Sequence, residues 1–305
     1  MQLTNNKTYK MLKTPIVFII FNRPDLTQIV FNEIRKAQPR QLFIIADGPR
    51  TSKEQAKCQA ARDVIKQIDW DCEVFYNYSD VNLGCRERVS SGLNWIFKQV
   101  EEAIILEDDC VPNSSFFEFC EQLLVRYKMD NRIMLISGYN AQQSWQADKQ
   151  DYFFSNLGGI WGWASWARAW KNFDLKMTHL DKVVKDRKLR HLLGEKLGRI
   201  RENQFLDCRS RQVDTWDYQW AYSRHINSGL AIVPSKNLIE NIGFRKDATH
   251  TKHSTRRKVY SENLEFPLET NNILIPDTEY DELFFKNSES FIHKLALKLR
   301  KATNI

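Results

Sequence analysis

Hydrophobic and polar positions follow two repeating patterns over roughly the first 140 residues. Short apolar runs end on turn residues, and each is followed by a longer stretch with apolar side chains at helical spacing. The apolar runs predict strands over residues 15–21, 41–46, 72–77, 103–110 and 133–137. The stretches between them predict helices over residues 25–37, 52–68, 86–99 and 114–127, the first capped by Asp25. This alternation is typical of an α/β protein with a mostly parallel, doubly wound sheet flanked by helices.

Beyond Tyr139 the alternation stops, and the C-terminal part of the chain becomes irregular, first aromatic and then basic. Residues 157–170 contain four of the nine tryptophans, and Trp163, Trp166 and Trp170 share one face if this segment is a helix. That spacing favours a role in the core. A basic stretch over 182–201 is predicted to be helical, with a solvated face as the default interpretation and an acceptor or membrane contact as the alternative. A late strand is predicted over residues 230–233.

Three consecutive acids end the predicted strand over 103–110: Glu107, Asp108 and Asp109. Adjacent carboxylates repel one another and lose hydration at a sheet end, and a divalent cation would remove both costs. Ligands that offer only oxygen suit Mg²⁺ or Mn²⁺ better than Zn²⁺. The triplet therefore predicts a metal-diphosphate site. The alternative is a solvated acidic turn that caps the helix beginning near Asn113.

Other polar residues follow the predicted strands and would meet the acids along one edge of a parallel sheet. Arg23, Arg86 and Arg88 could offset phosphate charge, and Asp47 could accept a hydrogen bond from a base or ribose. Ordinary turn chemistry is the alternative for each of them taken singly. The chain has neither a Gly-x-Gly-x-x-Gly segment after the first strand nor a P-loop, so the cation is the candidate for handling phosphates.

The acceptor side of the predicted site draws on three segments. Trp161 lies between Gly159 and Gly162, which suggests a backbone that a ligand approaches closely and an indole that stacks on a sugar ring. Asp217 begins a predicted helix, with Asp214 or Thr215 as its cap, and could take a proton from an acceptor hydroxyl if it faces the cleft. In the basic segment 245–253, His250 or His253 could complete the metal shell; a solvated loop is the alternative.

Composition narrows the class of protein without choosing a function. The 305 residues are 42% hydrophobic and 27% charged, as in globular proteins, and six scattered cysteines suggest reduced thiols. No apolar run near the start is long enough for a membrane span, and no secretory signal is recognisable, so a cytoplasmic enzyme is expected. The net charge of +7 favours anionic partners. A basic amphipathic helix over 290–301 could place the protein at the inner face of the membrane; packing on the domain is the alternative.

Several segments resemble a known family. Residues 104–119, with Glu107-Asp108-Asp109 followed by Pro112 and Phe116-Phe117-Glu118-Phe119, resemble the Glu-Asp-Asp segment of N-acetylglucosaminyltransferase I and of bacterial family-2-like polysaccharide glycosyltransferases. Residues 157–170 and 216–220 stand in the same order as the Gly-Trp and Trp-Asp segments of those enzymes. Residues 241–251 are similar to the closing Asn-Ile-Gly-Phe segment of the bacterial group, and the resemblance spans about 15–251.

The resemblance implies a GT-A fold, a nucleotide-sugar donor, a Mn²⁺ or Mg²⁺ ion and inversion at the sugar carbon. It implies metal binding by Asp109, ribose contact by Glu107 with Asp108 beside it, nucleotide contacts by Arg23 and Asp47, and a catalytic base at Asp217. One departure is that the Asn-x-Gly-x-x-x-Ala-Arg-Asn pattern of many family-2 enzymes begins here as Asn82-Leu83-Gly84 but continues with Val89-Ser90-Ser91.

The sequence thus predicts four regions. They are a disordered tail over 1–14, a donor-binding half over 15–140, an acceptor half over 141–251 and a C-terminal extension over 252–305. The expected activity is metal-dependent transfer of a sugar, with a GlcNAc-like UDP-sugar favoured, to a glycan or a lipid-linked saccharide. The alternatives are a sugar nucleotidyltransferase, which would need a glycine-rich loop after the first strand, a nucleic-acid-binding protein and an inert sugar-binding module.

Overall fold

The structure is a computed structural model and describes residues 11–211, 213–244, 260–269 and 271–286. The segment over 245–253, with His250 and His253, lies outside the described residues, and so does the helix expected over 290–301.

The first half of the chain folds as the predicted alternation of strands and helices. Its elements are β1 (Ile16–Ile20), α1 (Pro24–Ala37), β2 (Gln41–Ala46), α2 (Gln55–Val64), β3 (Glu73–Tyr78), α3 (Gly84–Ile96) and β4 (Glu102–Glu107). Single 3₁₀ turns flank α2 on both sides. The four strands lie in the order β3-β2-β1-β4, and every neighbouring pair is parallel. Strands β1, β2 and β4 are apolar and buried on both faces, as expected for a sheet covered by helices on both sides, whereas the edge strand β3 is partly exposed.

The second half adds further strands and a group of helices. They are β5 (Cys110–Pro112), α4 (Ser114–Arg126), β6 (Ile133–Ser137), β7 (Tyr152–Ser155), β8 (Trp163–Trp166), α5 (Ala167–Trp170), α6 (Leu180–Lys185), α7 (Lys188–Leu193), α8 (Glu195–Ser210), α9 (Asp217–Ile226), β9 (Leu230–Pro234) and β10 (Ile239–Asn241). The central sheet continues β4-β8-β6-β9-β7, and β10 pairs with β5 outside it. Because β8 and β7 run antiparallel to their neighbours, the sheet is mostly parallel but mixed.

Two hydrophobic layers cover the faces of the central sheet. One layer includes Phe31 of α1 and Phe116 of α4. The other includes Leu93 of α3, Trp220 of α9 and Trp216 just before α9. This α/β arrangement, with helices on both faces of a large sheet, is compatible with a Rossmann-like fold.

Trp163, Trp166 and Trp170 are in the core as predicted, but their predicted helix is wrong. Trp163 and Trp166 belong to strand β8, and only Trp170 lies in the short helix α5. The Trp163 ring stacks on Trp216 at 5.5 Å and lies 6.1 Å from Trp220. Pairing with β4 and β6 on both sides decides the conformation of this segment, and spacing along the chain does not report such long-range pairing.

Three predicted helix caps differ in the structure. Helix α1 begins at Pro24 after Arg23, so Asp25 lies in its first turn instead of capping it. Helix α9 begins after Trp216, without a capping hydrogen bond from Asp214 or Thr215. Helix α4 is capped by Asn113, whose side chain accepts from Ser115 N at 3.0 Å. The basic stretch over 182–201 is helical as predicted, but it is divided among α6, α7 and α8.

Parts of both predicted terminal regions pack on the core. Leu12, inside the tail predicted over 1–14, is buried, so residues 11–14 belong to the fold. Leu264 and Leu268, within the predicted extension, join the layer that contains α1 and α4. Tyr280, in a helical segment over 278–286, is fully buried and accepts a hydrogen bond from Ala141 N at 3.1 Å. Within the described ranges, no helix has the length and apolar character to cross a membrane.

The close contact of α7 with α8 gives a test of the fold. A Cβ at Gly198 would lie 2.4 Å from Arg190 Cα and 2.5 Å from Arg190 N, so Gly198→Ala must push two helices apart. We expect a loss of about 1–2 kcal/mol in unfolding free energy, because overpacking exceeds the gain in helix propensity. Denaturant unfolding measures this loss. The exposed Asn203→Ala in the same helix is the control and should cause no loss; equal stability of both variants would contradict the helix contact.

Candidate functional site

The acids end β4 at the same edge of the sheet where β1 and β2 end. The register pairs Ile19 of β1 with Glu107, and Ile20 with Ala46 of β2. The residues that follow these strands, Arg23, Asp47 and Asp108 among them, therefore gather at the carboxyl edge. Ligands bind at such edges in open α/β sheets.

Arg23 holds two of the three acids. Its Nη2 pairs with Asp108 Oδ1, its Nε donates to Asp108 Oδ2 at 3.3 Å, and its Nη1 donates to Asp109 Oδ2 at 3.0 Å. Asp108 is buried. Since Asn113 caps α4 itself, the alternative of a solvated acidic turn that caps this helix is wrong. The triplet is therefore a structured cluster in which the Arg23 guanidinium pairs with two of the three carboxylates.

Burial and mutual repulsion set the charge of this cluster. Burial raises the pKa of Glu107 to about 8, and the charges of Asp109 and Asp108 add to the effect. Burial also raises the pKa of Asp108, even though Arg23 acts against it. For Arg23, burial would lower the pKa, but the two aspartates outweigh it and raise the pKa. The cluster therefore favours a further positive charge.

The donor set of this cluster fits a cation of the Mg²⁺ type. The described residues contain no group of three His, Cys, Asp or Glu side chains arranged as metal ligands. Mg²⁺ commonly uses only one or two carboxylates and takes its other ligands from substrate phosphates and water. Glu107 Oε1 is buried and has no hydrogen-bond partner among the described residues. Asp109, beside it, is the predicted metal ligand.

Asp47 organises the turn that leads into α3. Its Oδ1 accepts from Gly48 N and Leu83 N, both at 2.9 Å, and its Oδ2 accepts from Asn82 Nδ2 at 2.9 Å and from Gly84 N at 3.1 Å. A base or ribose would have to share or displace one of these donors. The structure thus places Asp47 at the predicted edge with its carboxylate already engaged by the chain.

The two arginines of α3 lie in different environments. Arg88 is buried and donates to Ala46 O at 3.2 Å and to Asn77 Oδ1 at 2.6 Å, so its guanidinium is held between the ends of β2 and β3. A role for Arg88 in offsetting phosphate charge would require it to leave these acceptors. Arg86 is half-buried, and its nearest ion pair is the adjacent Glu87 at 3.3 Å. Arg86 is the α3 arginine with the fewer contacts.

The two rival acids before α9 have different surroundings. Asp214 accepts from Cys85 N at 3.0 Å and from Arg86 N at 2.8 Å, so it caps α3 from another part of the chain. Asp217 accepts from the Thr215 hydroxyl, and its charge contributes to raising the pKa of Glu107. Asp217 therefore lies within electrostatic reach of the acidic cluster, whereas Asp214 serves the start of a helix.

Three aromatic side chains pack against one another, and the segment that carries one of them contacts the acids; we call them the aromatic wall (Tyr139, Trp161 and Phe244). The Trp161 ring centroid is 4.5 Å from that of Tyr139 and 5.4 Å from that of Phe244. The segment before Phe244 contacts the acids directly, since Ile242 N donates to Asp109 O at 2.9 Å and a Cβ on Gly243 would lie 2.1 Å from Asp109 Oδ2.

Glycine at position 159 makes room for the aromatic wall. A Cβ on Gly159 would lie 2.5 Å from Tyr139 Cδ1, so no larger residue fits beside that ring. The sequence analysis missed Tyr139. Its place just after β6, at the carboxyl edge of a predicted strand, was the signal that could have found it. Of the predicted substrate residues, the structure brings Trp161 and Gly159 together, and His250 lies outside the described residues.

Comparison with protein-family models finds none that matches this chain, and comparison with curated proteins also finds no match. Function is therefore inferred from the geometry of the site and from the motifs that compose it.

Arg23 and a divalent cation would neutralise the same carboxylates, which gives a test of the cation site. Arg23→Gln leaves buried Asp108 without its partner and should cost about 3 kcal/mol in unfolding free energy, at the low end for buried pairs because the Arg23 side chain is 20% exposed. Mn²⁺ should recover much of this loss, so thermal unfolding should show a larger Mn²⁺-induced shift for Arg23→Gln than for the wild type.

The control is Arg132→Gln, which breaks an ion pair with Asp130 whose arginine side chain is 65% exposed. This change should cost less than about 1 kcal/mol and should leave the response to Mn²⁺ unaltered. If Mn²⁺ raises the melting temperature of Arg23→Gln no more than that of the wild type, the predicted cation site is wrong.

Proposed function

We propose that this protein is a metal-dependent inverting glycosyltransferase of the GT-A type. It transfers a sugar from a nucleotide-diphosphate donor, with a GlcNAc-like UDP-sugar favoured, to a hydroxyl of a glycan or a lipid-linked saccharide. The observation that carries the proposal is the cluster of Glu107, Asp108 and Asp109 under Arg23 at the carboxyl edge of the sheet, with Asp217 within electrostatic reach. The resemblance of the Glu-Asp-Asp, Gly-Trp and Trp-Asp segments supports the same activity.

The diphosphate of the donor would lie against the acidic cluster. A divalent cation held by Asp109 would supply positive charge against the leaving diphosphate. Arg23 is positioned to add a second positive charge there, because its guanidinium already lies at the two aspartates. Arg86, half-buried at the start of α3, is the other cation available to the phosphates. Fixed charges of this kind stabilise the charge that develops on a leaving group.

Asp217 would act as the general base. It would accept the proton of an acceptor hydroxyl while that oxygen attacks the anomeric carbon from the face opposite the diphosphate, which inverts the configuration. Asp214 is the weaker candidate, since both of its carboxylate oxygens accept backbone N–H groups of α3. The Thr215 hydroxyl donates to Asp217 and would fix the direction of its carboxylate.

The aromatic wall would orient a sugar for this displacement. Indole and phenyl rings stack on the apolar faces of sugars, and holding two reactants in line reduces the entropic cost of their reaction. The contact of Asp109 with the Asn241–Phe244 segment places this wall beside the cluster. A lipid-linked acceptor would bring the protein to the cytoplasmic face of a membrane.

The other classes fit less well. A sugar nucleotidyltransferase would use a glycine-rich turn after β1, where this chain has Phe21-Asn22-Arg23. A nucleic-acid-binding protein would need exposed basic and aromatic residues together, and an unshielded acidic cluster repels phosphate backbones.

Screening of nucleotide sugars by thermal shift, with and without Mn²⁺, tests the proposal. We expect one donor to raise the melting temperature only when Mn²⁺ is present, because a ligand stabilises the folded state to which it binds. Donor hydrolysis that depends on the same metal would separate an enzyme from an inert binding module. If no nucleotide sugar stabilises the protein under either condition, the proposal is wrong.

Asp217→Asn tests the catalytic base. Turnover should fall about 10²–10⁴-fold while the donor-induced thermal shift is kept, because the amide cannot take the proton but keeps the shape of the side chain. The exposed Asp207→Asn in α8 should leave turnover unchanged. Asp214→Ala should lower unfolding free energy by about 1 kcal/mol through loss of the cap, with a much smaller effect on turnover. If Asp217→Asn keeps near-normal turnover, Asp217 is not the catalytic base.

A further inference from the structure

Three basic side chains belong to α8 and α9: Arg201 in α8, and Arg224 and His225 in α9. We call them the basic cluster. Arg224 is 1% exposed and His225 is 3% exposed, while Arg201 of α8 is half-buried. Buried arginine and histidine side chains normally have an acidic or carbonyl partner, because a buried cation loses its hydration. The partners of these three residues therefore need an explanation.

Arg201 and His225 both lie beside the Phe205 ring. The Arg201 guanidinium carbon lies 5.9 Å from the centre of the Phe205 ring, and that ring lies 6.1 Å from the ring of His225. The charge of Arg201 acts on both of the others. Burial lowers the pKa of Arg224 to about 9, and Arg201 contributes to that shift. Burial also lowers the pKa of His225 well below its ordinary value, with further contributions from Arg201 and Arg224.

Four nitrogens of the basic cluster lack a hydrogen-bond partner within the described part of the chain. Among the described residues, Arg201 Nε, Arg224 Nε and both ring nitrogens of His225 are buried and have no hydrogen-bond partner. The bonds that the two guanidinium groups do make are to neutral oxygens, from Arg201 Nη1 to Gln204 Oε1 at 2.9 Å and from Arg224 Nη1 to Gly229 O at 3.5 Å. Neither arginine forms an ion pair within the described part of the chain.

One buried acid is close enough to act on both arginines, but it is bonded elsewhere. The charge of Asp281 acts on Arg201 and Arg224. Its own oxygens accept from the Ser155 hydroxyl, from Asn156 Nδ2 at 2.9 Å and from Asn156 N at 3.3 Å. Asp217 also acts on Arg201. These carboxylates reduce the positive charge of the region without filling the donor sites of the guanidinium groups.

An anion would satisfy this arrangement. A guanidinium offers parallel N–H donors that match the oxygens of a phosphate, and charge-assisted bonds of this kind are about twice as strong as neutral ones. Arg201, being half-buried, is the member that an anion from solvent would reach first.

We propose that Arg201, Arg224 and His225 form an oxyanion-binding site that takes a phosphate group. The site is separate from the acidic cluster, which holds the opposite charge, and it stands whether or not the protein is a glycosyltransferase. Phosphate would lie among the three side chains and accept from Arg201 and Arg224. His225 would donate one ring N–H to it.

Thermal unfolding with inorganic phosphate, at matched ionic strength against chloride, tests the site. The wild type should gain about 2–4 °C when phosphate is present at about ten times its Kd. Arg224→Gln and Arg201→Gln should each weaken phosphate binding about tenfold or more in calorimetric titration. Arg224→Gln should also keep or raise the melting temperature in chloride, because it removes an unpaired buried charge.

Arg168→Gln is the matched control. Arg168 is also partly buried, but its guanidinium donates to the carbonyls of Lys128, Ile133 and Tyr127 at 2.7–2.8 Å. This change should lower the melting temperature in both salts and leave the increment caused by phosphate intact. If phosphate gives the wild type no increment, or gives Arg224→Gln the same increment, the site does not exist.

Glycerol 3-phosphate distinguishes the source of the anion. Protection by this monoester as well as by inorganic phosphate supports the site as one for the phosphate group of a larger molecule. Protection by inorganic phosphate alone supports it as a site for the free ion. Loss of both in Arg224→Gln is expected in either case.

Discussion

Charge compensation at the end of β4 is the constraint on which the candidate site depends. Three consecutive carboxylates begin at the last residue of a strand whose four central residues are buried, and burial raises the pKa of both Glu107 and Asp108. Arg23, from the turn after the neighbouring strand β1, compensates part of this charge. Such an arrangement is stable only while a cation remains at the edge of the sheet, because a bare buried carboxylate is costly. The same requirement suits a site that binds a metal and a diphosphate.

Parallel pairing brings these residues together, and the antiparallel strand β8 supplies the opposite side of the site. Because β8 lies between β4 and β6, the loop before it carries Trp161 to the edge where Asp109 lies. The segment after β10 reaches the same edge through the hydrogen bond from Ile242 N to Asp109 O. The mixed character of the sheet is therefore what joins an acidic half and an aromatic half into one site.

Some polar groups have hydrogen-bond partners within the described part of the chain, and others do not. Asp47, Arg88 and Asp214 are engaged by backbone groups and hold the turn and the ends of strands around α3. Glu107 Oε1 and the ring nitrogens of His225 are buried without hydrogen-bond partners in the part of the chain that the structure describes. Unsatisfied buried polar atoms are uncommon in folded proteins, and they point to ligands where they cluster. Both proposals rest on this distinction.

The sequence alone determined the strands and helices of the first half and the acids at the end of β4, because periodicity and turn residues are local signals. It did not determine that Trp163 lies in a strand or that Asp214 caps α3, since both depend on partners far along the chain. The pairing of Arg23 with the acids also required the order of the strands. Only the tertiary structure decides which polar groups are already bonded, because those bonds join distant segments.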